Sequence, residues 1–139
     1  MKLPRWGSAV MIALLLIIVA VAGTRFQKPM ASQRIACVDP VSGCTFEHRG
    51  QAVQLRFLQS PQTLQAFGMT VHAPHARRIH AEFQMQGMEM GPNRYALTEA
   101  QAGVFIAQIQ LPVCVSGRRD WHLYLHIDGQ TYAIPFRTS

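Results

Sequence analysis

The sequence predicts an all-β domain that follows a single apolar segment at the N-terminus. After residue 50, apolar and polar residues alternate with a period of two over most of the chain, which is the spacing of half-buried strands. Turn-forming pairs such as Asp128-Gly129 separate the alternating runs. We therefore expect short strands joined by tight turns.

The N-terminal segment, residues 1–23, has the composition of a transmembrane helix or a signal peptide. Lys2 and Arg5 precede an uncharged run from Ser8 to Gly23. A helix from Gly7 to Gly23 would rise roughly 25 Å, which is near the lower limit for crossing a bilayer. Ala20-Val21-Ala22 also fits signal-peptidase cleavage before Gly23. The length of the run favours a retained membrane anchor, and a cleaved signal peptide is the alternative. Both interpretations predict that the remaining chain is exported.

Two further divisions follow along the chain. Residues 24–36 show no sustained period and contain Pro29, so we expect a linker between membrane and domain. Residues 37–139 are predicted to form the exported domain. About 115 residues remain after the anchor, which is enough for one hydrophobic core but not for two.

Apolar residues occupy one face of each alternating run, as Val53, Leu55 and Phe57 do, and polar residues occupy the other. The predicted strands, in chain order, are residues 53–57, 67–71, 79–85, 105–111, 121–127 and 132–136. Strands with one apolar face need two sheets to bury those faces against each other. An immunoglobulin-like β-sandwich is therefore the expected architecture.

The three cysteines fit an exported protein. Cys37 and Cys44 bracket a turn-rich segment with Asp39-Pro40 and Ser42-Gly43, and in an oxidising compartment we expect a disulfide between them. Two free thiols or a metal pair are the alternatives. Cys114 is then left over, and we expect a partly accessible free thiol there.

Charge and motifs argue against two large classes of function. The net charge of +6 is scattered, with Arg77-Arg78 and Arg118-Arg119 as arginine doublets and no basic run, so we expect no nucleic acid partner. Anionic headgroups or an acidic partner fit this charge better. The seven acidic residues are dispersed, and no nucleophile elbow or zinc-hydrolase motif occurs, so we expect no enzyme.

A methionine cluster is the main candidate site. Met85, Met88 and Met90 lie within six positions, and clustered thioethers outside the cytoplasm suit Cu(I). The alternation directs Met85 inward and leaves Met88 and Met90 beyond the strand end, facing outward. Cys114 is the candidate distant ligand. If residues 77–86 and 104–111 form a hairpin, Cys114 lies at the opposite end from Met88, which counts against a joint site.

Other interpretations of these residues stay open. Methionine also fills irregular gaps in cores and forms adaptable apolar contacts. Among the histidines, His72 and His75 flank Pro74 and could converge there. His122 and His126 share one side of a strand, but lie roughly 13 Å apart at about 3.3 Å per residue, too far for one ion.

The chain resembles the FixH/YtkA-like proteins in four places. The matching residues are Phe83-Gln-Met85-Gln-Gly87-Met88-Glu-Met90-Gly91-Pro92, then Gly103-Val104-Phe105, then Leu111-Pro112-Val113-Cys114-Val-Ser-Gly117, and finally Trp121. The resemblance covers roughly residues 50–136. One departure is that Cys114 stands where the family commonly has methionine, which keeps a soft ligand.

The resemblance implies a small, single-pass protein of the bacterial inner membrane with its bulk in the periplasm. It implies a role near cytochrome oxidase maturation or copper and cation transport, with an oxidase assembly factor or a cation transporter as partner. Two hypotheses follow for function. The protein binds or presents copper through Met85, Met88, Met90 and Cys114, or it is a metal-free module that docks an integral membrane partner.

Overall fold

The computed structural model describes residues 11–12, 14–17, 32–88, 91–113 and 117–139. Residues 11–12 and 14–17 are helical and belong to a first compact unit, Met1–Met30. In the part of the chain that the structure describes, no helix has the length and apolar character that a bilayer crossing needs. Most of the predicted segment 1–23 and of the linker lies outside the described residues.

The second compact unit, Ala31–Ser139, is built from strands. Its described residues form ten strands, β1 (Gln33–Arg34), β2 (Cys44–His48), β3 (Gln51–Phe57), β4 (Ala66–His72), β5 (Ile79–Met85), β6 (Arg94–Ala96), β7 (Thr98–Gln101), β8 (Val104–Gln110), β9 (Asp120–Ile127) and β10 (Gln130–Arg137). They form two five-stranded sheets, ordered β1-β10-β9-β5-β6 and β2-β3-β4-β8-β7. The expected all-β architecture with two sheets is confirmed.

Among the described residues, all strand pairs are antiparallel except one, in which β1 runs parallel to β10, with Gln33 opposite Tyr132. The predicted hairpin at Asp128-Gly129 is present, since Ile127 pairs with Gln130. Asp128 has φ 46° and Gly129 has φ 87°, as a type I′ turn requires. This turn directs β10 back along β9.

The alternation predicted from sequence sets the core. Every second residue of β5 and β9 is buried, and large side chains from both sheets meet between them. Phe57 and Phe67 from one sheet pack near Phe83 and Phe136 from the other, with ring centroids 5.1–6.3 Å apart. Burying each such side chain contributes about 1.5–3 kcal/mol.

Four short strands were not predicted. The edge strands β1, β6 and β7 have two to four residues, too few to display a period, and they lie at the sheet edges. The five residues of β2 alternate between buried and exposed. They directly follow the turn-rich cysteine loop, and we did not predict a strand there. The sandwich also includes β1 and the buried Ile35, which the sequence placed in the linker.

The hairpin that the sequence analysis considered between residues 77–86 and 104–111 is not formed. β5 pairs with β9 and β6, and β8 pairs with β4 and β7 in the other sheet. The intervening residues supply β6 and β7 instead, one to each sheet. β5 and β8 therefore lie in different sheets, and their relative direction does not follow from a hairpin.

The disulfide between Cys37 and Cys44 is present, with Cα atoms 5.5 Å apart. The carboxylate of Asp39 accepts hydrogen bonds from the backbone N–H groups of Val41 at 3.0 Å and Ser42 at 3.1 Å, and from the Ser42 hydroxyl at 2.7 Å. These bonds hold the pKa of Asp39 below its ordinary value. The loop is thus closed both covalently and by an Asx turn.

Candidate functional site

The methionine segment begins with a tight turn at the end of β5. The N–H of Met88 donates to the carbonyl of Met85 at 3.4 Å, and Gly87 has φ +75°, as the third residue of a type II turn requires. The N–H of Gln86 donates to the carbonyl of Asp120 at 3.0 Å, and Arg118 donates to the Gln86 carbonyl at 3.1 Å. The turn is therefore held against the strand that follows Arg118.

The turn separates the two described methionines, as the alternation predicted. Met85 is 2% exposed and lies in the core opposite Trp121, whereas Met88 is 37% exposed. Met90 and Cys114, the other two predicted ligands, lie outside the described residues. The structure therefore places one thioether inside and one at the surface.

Met88 lines an open groove at this end of the sandwich, with a volume of about 620 Å³. We call it the Met88 groove, and its lining residues are Leu64, Met88, Gly91, Pro92, Asn93, Tyr95, Gln110, Leu111 and Pro112. Most of these side chains are apolar. Val113, next along the chain, is also an exposed apolar residue.

The groove wall is held by bonds between three chain segments. The N–H of Leu64 donates to the carbonyl of Leu111 at 2.9 Å, and Gln110 Nε2 donates to the Leu64 carbonyl at 3.3 Å. The Tyr95 hydroxyl donates to the Gln110 carbonyl at 2.6 Å and accepts from the Gln110 N–H at 3.2 Å. The groove is therefore a built feature, tied to β8 on one side and β6 on the other.

Leu64 is the least expected residue in the groove. It is 63% exposed and has φ +64°, a left-handed conformation that costs a non-glycine residue about 1–2 kcal/mol. An exposed apolar side chain on a strained backbone gains little for the folded domain itself. Such outliers concentrate at functional sites.

The groove also includes a residue close to Cys114 in the sequence. Pro112, two residues before Cys114, lines the same groove as Met88, because β5 and β8 both run toward this end in opposite sheets. The expectation that Cys114 lies at the opposite end from Met88 depended on a hairpin that is not formed, and Cys114 itself lies outside the described residues.

A second depression, of about 350 Å³, adjoins the methionine turn on the outer face of the sheet. Its lining residues are Gln84, Met85, Gln86, Gly87, Met88, His122 and Tyr124. His122 pairs with Gln84 across β9 and β5, and its ring stacks on Tyr124 with centroids 6.1 Å apart. Sequence reasoning weighed His122 only against His126 and missed its position beside the methionines.

A polar cluster on the same outer face was also missed. His80 pairs with His126 across β5 and β9, and the rings stack with centroids 4.5 Å apart. Glu82 Oε2 lies 3.9 Å from His126 Nε2 and accepts from Arg94 at 2.8 Å. Among the described residues, no group of three or more His, Cys, Asp or Glu side chains is arranged to hold a metal ion.

Comparisons of the chain with protein-family models, with curated proteins and with solved structures find no match.

Proposed function

We propose that the chain is a non-enzymatic, exported interaction module whose Met88 groove receives an apolar segment of an integral membrane partner. The observation that carries this proposal is Leu64, an exposed leucine held in a left-handed conformation at the rim of an apolar groove of about 620 Å³. A partner that covers Leu64 compensates for its strain and its exposure.

The size and chemistry of the groove suit a short apolar segment rather than a polar molecule. Leucine, proline and methionine line it, and methionine adapts to partners of different shape. Covering a fully exposed leucine or methionine side chain contributes about 1.5–3 kcal/mol. Leu64 is 63% and Met88 37% exposed, so each contributes a part of that amount and Leu64 the larger part.

The finer assignment of fold and family belongs to the same proposal. With β3 to β10 taken as strands A, B, C, C′, D, E, F and G, the sheets follow the order A-B-E-D and C′-C-F-G. This is the strand order of immunoglobulin-like sandwiches and supports that fold. We also propose a FixH/YtkA-like protein, anchored in the bacterial inner membrane by residues 1–23, with an oxidase assembly factor or a cation transporter as partner.

The experiment is site-specific photo-crosslinking in native membranes. A crosslinker at position 64 should capture one defined membrane protein, whereas a crosslinker at Ile106, an exposed apolar residue on β8 outside the groove, should not. L64D should abolish the product at a crosslinker placed at Met88, and M88L should retain binding because it keeps apolar volume. Equal capture from positions 64 and 106 would contradict the proposal.

Copper binding is the second candidate, and one observation favours it. Met88 and His122 line one depression on the outer face of the sheet, so a thioether and an imidazole, both suited to copper, adjoin it, whereas the Met85 side chain is buried in the core. Met90 and Cys114 remain proposed ligands from sequence. Metal handed between proteins needs only weak, partly exposed ligands, as Met88 provides.

Titration with Cu(I) under reducing conditions, with X-ray absorption on the loaded protein, tests this candidate. We expect sulfur scatterers in the first shell and a loss of binding in M88L, with a smaller loss in H122A. M69L is the matched control, since Met69 is fully buried in β4 away from this depression. Absence of bound copper at micromolar protein would exclude this function and leave the docking module.

A further inference from the structure

One polar group of the Met88 groove lacks a hydrogen-bond partner among the described residues. Asn93 lies in the groove wall, and its side-chain Nδ2 is buried there without an acceptor. The backbone at this point is fixed, because the N–H of Phe83 donates to the Asn93 carbonyl at 2.9 Å. A buried amide donor without an acceptor is costly, so Asn93 favours an occupant of the groove that brings an acceptor.

The strand that follows Asn93 has an open edge. β6 is the outer strand of its sheet and begins directly after Asn93. Asn93 and Leu97, on either side of β6, form backbone hydrogen bonds with β5. Because successive residues of an antiparallel strand alternately face the partner strand and face away from it, the backbone N–H and C=O groups of Arg94 and Ala96 point away from β5. Among the described residues, no strand pairs with this side of β6.

The opposite wall of the groove is closed to such pairing. The Tyr95 hydroxyl donates to the carbonyl of Gln110 on β8 at 2.6 Å and accepts from the N–H of the same residue at 3.2 Å. A strand that paired with β8 at this point would have to displace that hydroxyl. An extended segment in the groove therefore finds open backbone groups on β6 rather than at Gln110.

These polar groups select the conformation of the occupant. A peptide group carries both a carbonyl and an N–H, so it satisfies the Asn93 amide in either orientation of that amide. A helix uses its backbone groups in its own hydrogen bonds, and an acyl chain has no such groups. The partial positive charges on the N–H groups of Asn93, Arg94 and Ala96 are complementary to the carbonyl oxygens of an extended backbone.

We propose that the Met88 groove receives an extended segment of the partner, which pairs with the open edge of β6 and whose peptide carbonyl accepts from Asn93 Nδ2. The inference rests on the proposed function and adds the conformation of the bound segment. Apolar side chains of the segment contact Leu64 and Met88, and the backbone bonds fix its register. The three residues of β6 span roughly 10 Å, so the paired stretch is short.

The first test compares crosslink yields in native membranes for a crosslinker placed at Met88. N93L removes the amide and supplies an apolar side chain of similar size, so capture of an extended segment should fall about tenfold. A helix or an acyl chain would bind N93L at least as well as the wild type, because the unpaired amide is gone. Q54L is the matched control, since Gln54 is an exposed amide on β3 outside the groove, and it should leave the yield unchanged.

The second test removes one backbone donor from the open edge. A96P deletes the Ala96 N–H, which β5 does not use, and proline is tolerated on the open side of an edge strand. A96P should reduce the crosslink yield by a similar factor, whereas A96V keeps the N–H and should retain the yield. Denaturant unfolding establishes that the variants are folded, and N93L should be no less stable than the wild type because it removes the unpaired amide.

Hydrogen exchange on the purified crosslinked complex reads the same edge without any substitution in β6. Exchange of the backbone N–H groups of residues 94–96 should be several-fold slower in the complex than in the free chain. Residues 98–101 of β7, the outer strand of the other sheet, are the matched control and should exchange equally in both.

Equal exchange of residues 94–96 in the two samples, or full capture by N93L, overturns the extended conformation and would leave the groove to a helix. Such a result leaves the proposed function standing. Absence of any crosslink from positions 64 and 88 of the wild type contradicts the proposed function and this inference with it, so the two failures are distinguishable.

Discussion

His80 and His126 are direct partners across β5 and β9, and their imidazole rings stack nearly parallel, 17° apart in plane. The pKa of each lies below its ordinary value, first because burial disfavours the charged form. For His126 the nearby His80 lowers the pKa further, and Glu82 partly opposes this. The pair is therefore neutral at neutral pH.

We predict that the domain loses stability as the pH falls below about 6.5, the ordinary histidine value. Below this pH, His80 and His126 bind protons in the unfolded chain but not yet in the folded chain. Proton binding lowers the free energy of the unfolded state, so the free energy of unfolding falls. The loss continues until the lowered pKa values of the folded state are reached. Urea unfolding at several pH values measures it.

The double variant H80Q/H126Q should reduce the pH dependence of the free energy of unfolding without removing it. His48 contributes the remainder, because it is buried, its Nδ1 lies 2.8 Å from the Tyr132 hydroxyl, and burial lowers its pKa as well. An unchanged slope in the double variant would show that the stacked pair is not responsible.

We predict that L64G separates stability from function. Glycine adopts a φ near +64° without strain, so the free energy of unfolding should rise by up to about 1 kcal/mol, while the partner crosslink is lost. L64A keeps the strained backbone and should lose binding without gaining stability. Denaturant unfolding and crosslinking measure the two effects, and full binding by L64G would mean that Leu64 is not a contact.

We predict that G87A destabilises the domain by about 1 kcal/mol, because alanine at φ +75° is strained. Its Cβ would also lie 3.1 Å from Arg118 Nη1, the flexible end of a long side chain that can move away. G91A is the control, since a Cβ there meets nothing within 4 Å. Equal stability of the two variants would contradict this account of the methionine turn.

We predict that replacing Cys37 and Cys44 by serine lowers the free energy of unfolding by about 2–3 kcal/mol, as closure of so short a loop implies. The bonds to Asp39 should keep the loop shape in the folded state. Reductant should lower the melting temperature of the wild type and of C114S, but not of C37S/C44S. Loss of the reductant effect in C114S would indicate that Cys114 takes part in a different pairing.

The strands that sequence predicted are those long enough to show their period. β5 and β9 display seven and eight alternating residues, whereas β1 has two and β6 three, so edge strands give no signal. The inward direction of Met85 followed from the same alternation. His122 beside the methionines did not, because that contact depends on which strand lies next to β5.

By itself the sequence determined the all-β character, the inner and outer faces of the long strands, the Asp128-Gly129 hairpin and the cysteine pairing. These depend on residues near one another in the chain, through side-chain period, turn conformation and loop closure. Tertiary structure alone decided that Pro112 and Met88 line one groove, that His80 stacks on His126, and that β1 runs parallel to β10. A period of two specifies which face is buried but not which strand pairs with it, and only that pairing brings distant residues to one site.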